Sequence, residues 1–236
     1  MNTELSADVS PVIVRLTEAP GQYEAIKLNI QGVQLNSDDY NDHTWVTSTT
    51  AKGVYELNQL HTGKDTLLSS TDLLIGKIAR IKIVFGKGST VRLEGKSYPL
   101  EISQDLQNGL ILPVHAPLIP ATYCNVLLDV NAFKSVVYRG NGHYLLQPAL
   151  RASLSDESGT LRGIISPSDS HPLINAISGT DTVSTTSDMN GNFSLCGLHP
   201  GAYAVIIQPS HPYQSRMIAI AVEAGKTEDV GIIRLQ

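Results

Sequence analysis

The 236-residue sequence predicts an all-β protein made of two antiparallel β-sandwich domains. Three observations predict it. Apolar and polar residues alternate in short runs along most of the chain, the period of a strand with one buried face. The 19 Gly and 12 Pro fall largely between those runs, where turns belong. The third observation is the segment 183–203, VSTTSDMNGNFSLCGLHPGAY. Asn190-Gly191 suits a type I′ hairpin, whose two central residues take positive φ, and Phe193 and Leu195 then share one face of the returning strand. Pro200-Gly201 suits a second tight turn, after which Tyr203, Val205 and Ile207 resume the alternation. The segment reads as a three-stranded meander, and a meander with one apolar face needs a second sheet to cover it.

In chain order, residues 1–10 are polar and aperiodic and read as a flexible leader. Val12, Val14 and Leu16 mark a first strand, and after Pro20-Gly21 a second follows with Ile26, Leu28 and Ile30 on one face. The phase slips at Gly32, because Val33 and Leu35 now take odd positions; a β-bulge there keeps both halves facing the core. Residues 36–44, NSDDYNDHT, form a polar loop closed by Trp45. Residues 53–60 are a short apolar stretch, and 64–74 fits either one helical turn or an irregular crossover. Residues 78–102 read as a three-stranded meander with turns at 86–89 and at Gly95-Lys96. The strand at 110–114 carries Pro113 and is followed by Pro117, the mark of a sheet edge. Cys124, Val126, Leu128 and Val130 share a core face, and Gly140-Asn141-Gly142 turns the chain into a last strand at 144–150.

Residues 153–159, SLSDESG, lack apolar periodicity and read as a linker. About seven strands follow, the usual count of a small sandwich, the last of them pairing 218–222 with 230–235 through a turn at 224–226. The organisation expected is a leader at 1–10, an N-terminal sandwich at 11–152, a linker at 153–159 and a C-terminal sandwich at 160–236.

Composition narrows the function classes. A net charge of −5 and no Lys/Arg run leave no basic surface for phosphates, so nucleic acid is not an expected partner. No apolar run approaches the length that spans a bilayer, and MNTELSADVS has neither a basic start nor an apolar signal core. Membrane attachment is expected only through a lipid anchor on a segment outside this sequence. Cys124 and Cys196 are too few for a disulfide framework and fall one to each domain.

The motifs give little chemistry. Gly86-Lys87-Gly88-Ser89-Thr90 resembles the end of a phosphate loop, but strand residues follow where a helix is required. Asp188, Asn190 and Asn192 alternate like the first half of a calcium loop, yet no bidentate Glu follows and a turn accounts for all three. The densest polar cluster is Asp38, Asp39, Tyr40, Asp42 and His43 beside Trp45, the one Trp. Aromatic rings there would stack on a sugar while carboxylates take its hydroxyls; the ordinary reading is a solvated loop and a core Trp. His171, His199 and His211 each precede proline, which explains them as turn residues. No H-E-x-x-H, C-x-x-C or G-x-S-x-G pattern is present, and no cofactor is implied. Asp129, Lys134 and Arg151 read as an ion-pair cluster on a sheet surface.

The pattern T-x-x-D-x-N-G-N-F-x-L-x-G-L-x-P-G-x-Y from Thr185 to Tyr203 resembles the carboxypeptidase regulatory-like family, which implies a transthyretin-like sandwich over 159–236. In the first unit, LTEAPGQY from Leu16, IQGV from Ile30, GVYEL from Gly53, LLDV from Leu127, KSVV from Lys134 and GNGHY from Gly140 resemble the domain of unknown function numbered forty-three eighty-two. Members of that family typically carry Asp where this chain has Glu18. The resemblance implies an exported, lipid-anchored bacterial envelope protein and supplies no catalytic residues. The expectation is a non-enzymatic envelope protein that binds a glycan or a surface protein through its loops. The alternatives are a hydrolase assembled around Asp38, Asp39 and His43, and a structural spacer.

Overall fold

The structure is a computed structural model that describes residues 8–19, 23–38, 44–50, 52–60 and 64–236. The first unit contains β1 (Val9–Ala19), β2 (Ala25–Asn36), β3 (Val46–Thr47), β4 (Thr49–Thr50), β5 (Gly53–Glu56), β6 (Thr66–Leu74) and β7 (Gly76–Phe85). It continues with β8 (Thr90–Leu93), β9 (Lys96–Ile102), β10 (Leu110–Leu118), β11 (Cys124–Asn131), β12 (Val136–Gly140), β13 (His143–Leu146) and β14 (Leu150–Leu154). They form a five-stranded sheet in the order β14-β11-β1-β6-β4 and a nine-stranded sheet in the order β10-β7-β2-β8-β9-β13-β12, with β3 and β5 also on β2. Between the sheets lies one core that includes Val12, Val14, Leu16, Leu28, Ile30, Ile81, Ile83, Val126 and Leu128.

The second unit contains β15 (Gly159–Ser166), β16 (Leu173–Ser178), β17 (Asp181–Thr186), β18 (Asn192–Leu198), β19 (Gly201–Gln208), β20 (Arg216–Val222) and β21 (Thr227–Arg234). A three-stranded sheet, β18-β15-β21, faces a four-stranded sheet, β17-β16-β19-β20, across a separate core built on Leu161, Ile165, Ile174, Phe193, Leu195, Val205 and Ile207. The expected all-β class and seven-stranded second unit are found. The pairing is not purely antiparallel, however: β1 runs parallel to β11, β9 to β13 and β15 to β21.

Strand β2 shows why the bulge at Gly32 matters. Its first residues pair with β8, its later ones with β7, and the register shifts between Ile30 and Gly32. The slip in phase lets one strand keep its apolar side inward along its whole length while serving both neighbours. Strand β10 lies at the sheet edge, as its prolines require.

Several expected connections are corrected. Residues 78–102 are not a meander, because β7 and β8 both pair with β2 and not with each other. Residues 64–74 are mostly strand, with β6 pairing directly to β1. The stretch 144–150 divides between β13 and β14, which belong to different sheets. Strand β1 already begins at Val9, and Ser10 is buried with its hydroxyl donating to the Thr122 carbonyl at 2.6 Å, so the leader cannot extend to residue 10. Residues 1–7 and the Pro20-Gly21 turn lie outside the described residues. Ser153 and Leu154 belong to β14, and after a single 3-10 turn, Ser155–Glu157, the second unit starts at Gly159.

The largest correction concerns 183–203. Strands β17 and β19 lie in the four-stranded sheet and β18 in the three-stranded one, so the chain crosses from sheet to sheet at each turn. For the same reason β20 and β21 are not a hairpin. Asn190 keeps a negative φ and only Gly191, at +84°, is left-handed, so the turn is not type I′. Gly191 docks on β15: its carbonyl accepts from the Ile165 amide at 2.7 Å, and a Cβ would stand 2.2 Å from the Ile165 carbonyl oxygen. Gly191→Ala is therefore expected to lower stability by about 3 kcal/mol or more in urea unfolding, combining left-handed strain with a backbone clash. Gly179→Ala, at φ +58° with nothing within 4 Å, should lose only about 1–2 kcal/mol, the strain alone. Equal losses would show that the turn does not dock.

Candidate functional site

The Asn36–Trp45 region is organised from its base. The buried Asn36 uses Oδ1 to accept from the Asp38 amide at 2.7 Å and from the Thr44 hydroxyl at 2.9 Å, which ties the two ends of the loop together. Arg80 on β7 donates from Nε to the Asp38 carbonyl at 2.9 Å. Trp45 is half-buried, with the Lys82 ammonium 4.0 Å and the Arg80 guanidinium 5.2 Å from its ring centroid. These cations are drawn to the negative ring face, so a face on which a sugar would stack already carries charge. The indole N–H is buried without a hydrogen-bond partner among the described residues. Asp39, Tyr40, Asp42 and His43 lie outside the described residues, and with them the centre of the proposed hydrolase constellation.

Asp188 is the hub of its turn. Its carboxylate accepts from the Asn190 and Asn192 amides at 2.9 and 2.8 Å and from the Asn192 side-chain amide at 3.0 Å. The oxygens that a calcium ion would need are used by the turn itself. In the phosphate-loop look-alike, the Ser89 hydroxyl accepts from the Asn29 amide at 3.0 Å and Asn29 donates to the Lys87 carbonyl at 2.6 Å, so the string is a pinned strand-to-strand turn. It borders a cleft of about 560 Å³ lined in part by Phe85, Leu100, Glu101 and Ile102.

The most strongly perturbed groups gather where the two units meet. Asp129 and Arg151 stand directly opposite on β11 and β14, with Arg151 3.4 Å from Asp129 Oδ2 and also bonded to the Cys196 carbonyl on β18. Asn131 donates to the Ser184 carbonyl at 2.7 Å, a second bond between the units. Ser194 and Cys196, on the side of β18 turned away from its own core, are buried as well. Gly197, at φ +63°, permits this approach, since a Cβ there would stand 2.5 Å from Ser153 Oγ. Of the pair expected on a sheet surface, Asp129 is thus enclosed, because the second unit covers that face, while the Arg151 side chain is still 32% exposed.

Burial pushes Asp129 up to about 6, against the pull of Arg151, and its Oδ1 has no hydrogen-bond partner among the described residues. Glu18 continues the inward phase of Val12, Val14 and Leu16, and burial, with the Asp129 charge adding to it, pushes it up to about 8. Both thiols are raised to about 11 by burial first, so neither is poised as a nucleophile.

A feature that sequence reasoning missed lies at the far end of the nine-stranded sheet. Tyr144 on β13 is flanked by Tyr98 on β9 and Tyr138 on β12, each ring centroid 5.1 Å away. The signal was present as tyrosines in alternating phase, but only the pairing of three separate strands brings them together.

Residues 9–148, more than half of the chain, match the family model described as Domain of unknown function (DUF4382). The chain belongs to the DUF4382 family. The DUF4382 match stops just before β14, the strand that carries Arg151. No curated protein matches the chain. Among solved structures it is similar to the Bacillus anthracis TIE protein (9% identity, TM-score 0.28), covering 97% of this chain but only 34% of that one. It is also similar to GBS52, the minor pilin of the gram-positive pathogen Streptococcus agalactiae (12% identity, TM-score 0.29, 96% of this chain and 95% of that one). A third is the shaft pilin SpaA from Lactobacillus rhamnosus GG as its E269A mutant (7% identity, TM-score 0.25, 98% of both chains). Superpositions this loose carry no shared function.

Two outcomes test this geometry. Glu18 is raised from 4.5 to about 8, so its contribution to stability is complete below pH 4.5 and is lost as pH rises through 8. Asp129 acts with the same sign between 3.8 and about 6. Wild type should melt at lower temperature near pH 9 than near pH 6, while Glu18→Gln should have a flatter profile and exceed wild type near pH 9. Parallel profiles would place Glu18 in water. Separately, Asp188→Ala should lose about 1–3 kcal/mol by orphaning turn amides, and calcium of order millimolar should leave the wild-type Tm unchanged. A calcium-dependent rise in Tm would reinstate the metal reading.

Proposed function

We propose that the chain is a non-enzymatic cell-envelope protein of the binding or adhesion type, with the second sandwich serving as a fixed mount for the first. The observation that carries this reading is the junction between the units: Arg151, Asp129, Asn131 and the outward face of β18 are used to hold one sandwich against the other. Buried polar contacts of this kind stabilise little in total but fix orientation. A protein that fixes the direction in which its loops point is suited to presenting them.

The second sandwich is assigned to the carboxypeptidase regulatory-like type, on its residue pattern together with seven strands in two sheets. Export and lipid anchoring at the bacterial surface complete the proposal, with a glycan or another surface protein as partner. Among the described residues no helix is long and apolar enough to cross a membrane. The loop with Asp38, Asp39, Tyr40, Asp42 and His43 is kept for the hydrolase alternative, and the cations over Trp45 argue against its ring as a sugar platform.

The test is a comparison of bacteria that display the full chain with bacteria that do not, on immobilised glycans and matrix proteins, alongside a broad hydrolase panel. Adherence without turnover is the expected outcome. Turnover abolished by His43→Ala would replace this reading with the hydrolase, and equal adherence of both strains would leave the spacer.

A further inference from the structure

We propose that the tyrosine surface formed by Tyr98, Tyr138 and Tyr144, with Glu94 at its rim, is a binding site for neutral hexose-containing glycans. The inference rests on the binding reading above and gives it a location away from Trp45.

Strand register places the three rings on one side of the sheet. Tyr138 is directly opposite Tyr144 in the antiparallel β12–β13 pair, and Tyr144 is level with Leu100 in the parallel pair with β9, two residues beyond Tyr98. This is the inward side of the sheet: Leu100, Leu146 and Val136 share it and are buried in the first core. Tyr98 and Tyr144 are half-buried and pack against the edge of that core, and Tyr138, on the last strand of the nine-stranded sheet, carries the ring surface out into solvent. Tyr138 is 61% exposed there. The rings are tilted at 49° and 43° to one another, so their faces do not lie in one plane. Tyr23 borders it, its hydroxyl 3.5 Å from the Val136 carbonyl.

The surface is held in place from two directions. The Asn141-Gly142 hairpin, with φ +52° and +76°, leans on Tyr98, where a Cβ on Gly142 would be 3.5 Å from the ring. On the other side the β8–β9 turn puts Glu94 at φ +48°. Glu24 fixes that turn, accepting from the Gly95 amide at 2.9 Å and pairing with Arg92 at 3.2 Å. Positive φ at both central residues, +48° at Glu94 and +74° at Gly95, is what this two-residue hairpin requires, and Glu in place of Gly or Asn there costs about 1 kcal/mol. Here the strained position holds an exposed carboxylate near Tyr144, and Glu94 contributes to raising the Tyr144 hydroxyl after loss of solvent and the charges of Tyr98 and Tyr138.

A sugar ring is the ligand that this chemistry fits. Its C–H face needs apolar ring faces, and its hydroxyls need acceptors and donors close by, which the phenol groups and Glu94 supply. Glu24 is paired with Arg92, and Glu94 puts an exposed carboxylate at the rim, which disfavours sialylated or uronic sugars relative to neutral ones.

The experiment is a glycan array of neutral and acidic sugars with the full chain, followed by titration of the best glycan against wild type, Tyr138→Ala, Glu94→Gln and Trp45→Ala, with a thermal melt of each. Tyr138→Ala should bind about 10-fold more weakly with an unchanged melt, as expected for a lost aromatic stacking contact. Glu94→Gln should narrow the preference for neutral over acidic sugars, and Trp45→Ala should bind like wild type. Loss of binding in Trp45→Ala alone would overturn the tyrosine site and leave the envelope-binding reading intact. An array with no bound sugar, or binding only of proteins, would overturn it too, while the adherence assay decides the broader reading independently.

Discussion

The arrangement of the two sandwiches depends on one strand that is buried on both faces. Phe193 and Leu195 turn one face of β18 into the second core, while Ser194 and Cys196 turn the other towards the first unit. Apolar burial has no direction, so it cannot by itself choose how two sandwiches meet. The small side chains and Gly197 bring the backbones close, and Arg151 then joins the Asp129 carboxylate to the Cys196 carbonyl across the boundary. With one guanidinium serving both partners, sliding or turning one unit would orphan a buried acceptor, which is more costly than the pair is stabilising.

The strand pattern was legible because a period of two survives any topology. Gly32 was legible for the same reason, since a slip of phase in one apolar run has few remedies other than a bulge. The connections were not legible. A hairpin and an arch between two sheets use the same turn residues, and the sheets are only about 10 Å apart, a gap that a five-residue turn can cross. Asn141-Gly142 and Asn190-Gly191 make the point: the first pair is left-handed at both residues and joins paired strands, while the second is left-handed only at Gly191 and joins strands of different sheets. Parallel pairs such as β1–β11 leave no local mark at all.

The sites divide along the same line. Glu18 could be read from sequence, because a carboxyl in phase with Val12, Val14 and Leu16 must face the core. Asp129 could not, since its phase points outward and only the second unit makes that direction an interior. Trp45 could be named as an aromatic in a polar loop, but not the cations over it, which come from β7. Tyr98, Tyr138 and Tyr144 look like ordinary strand residues until the pairing of three strands sets their rings side by side, Tyr98 and Tyr144 against the first core and Tyr138 in solvent.

The parallel pairing of β1 with β11 also sets an order on assembly. Strand β1 leaves the ribosome before the other strands of its sheet and can pair with β6 along one edge. Its other edge stays open until Cys124–Asn131 has emerged, more than a hundred residues later. Closing so long a loop is entropically slow, and an exposed strand edge invites pairing with a neighbouring chain. For a chain of this topology, the hazardous interval is the one in which half the first sandwich exists and its central strand has only one partner.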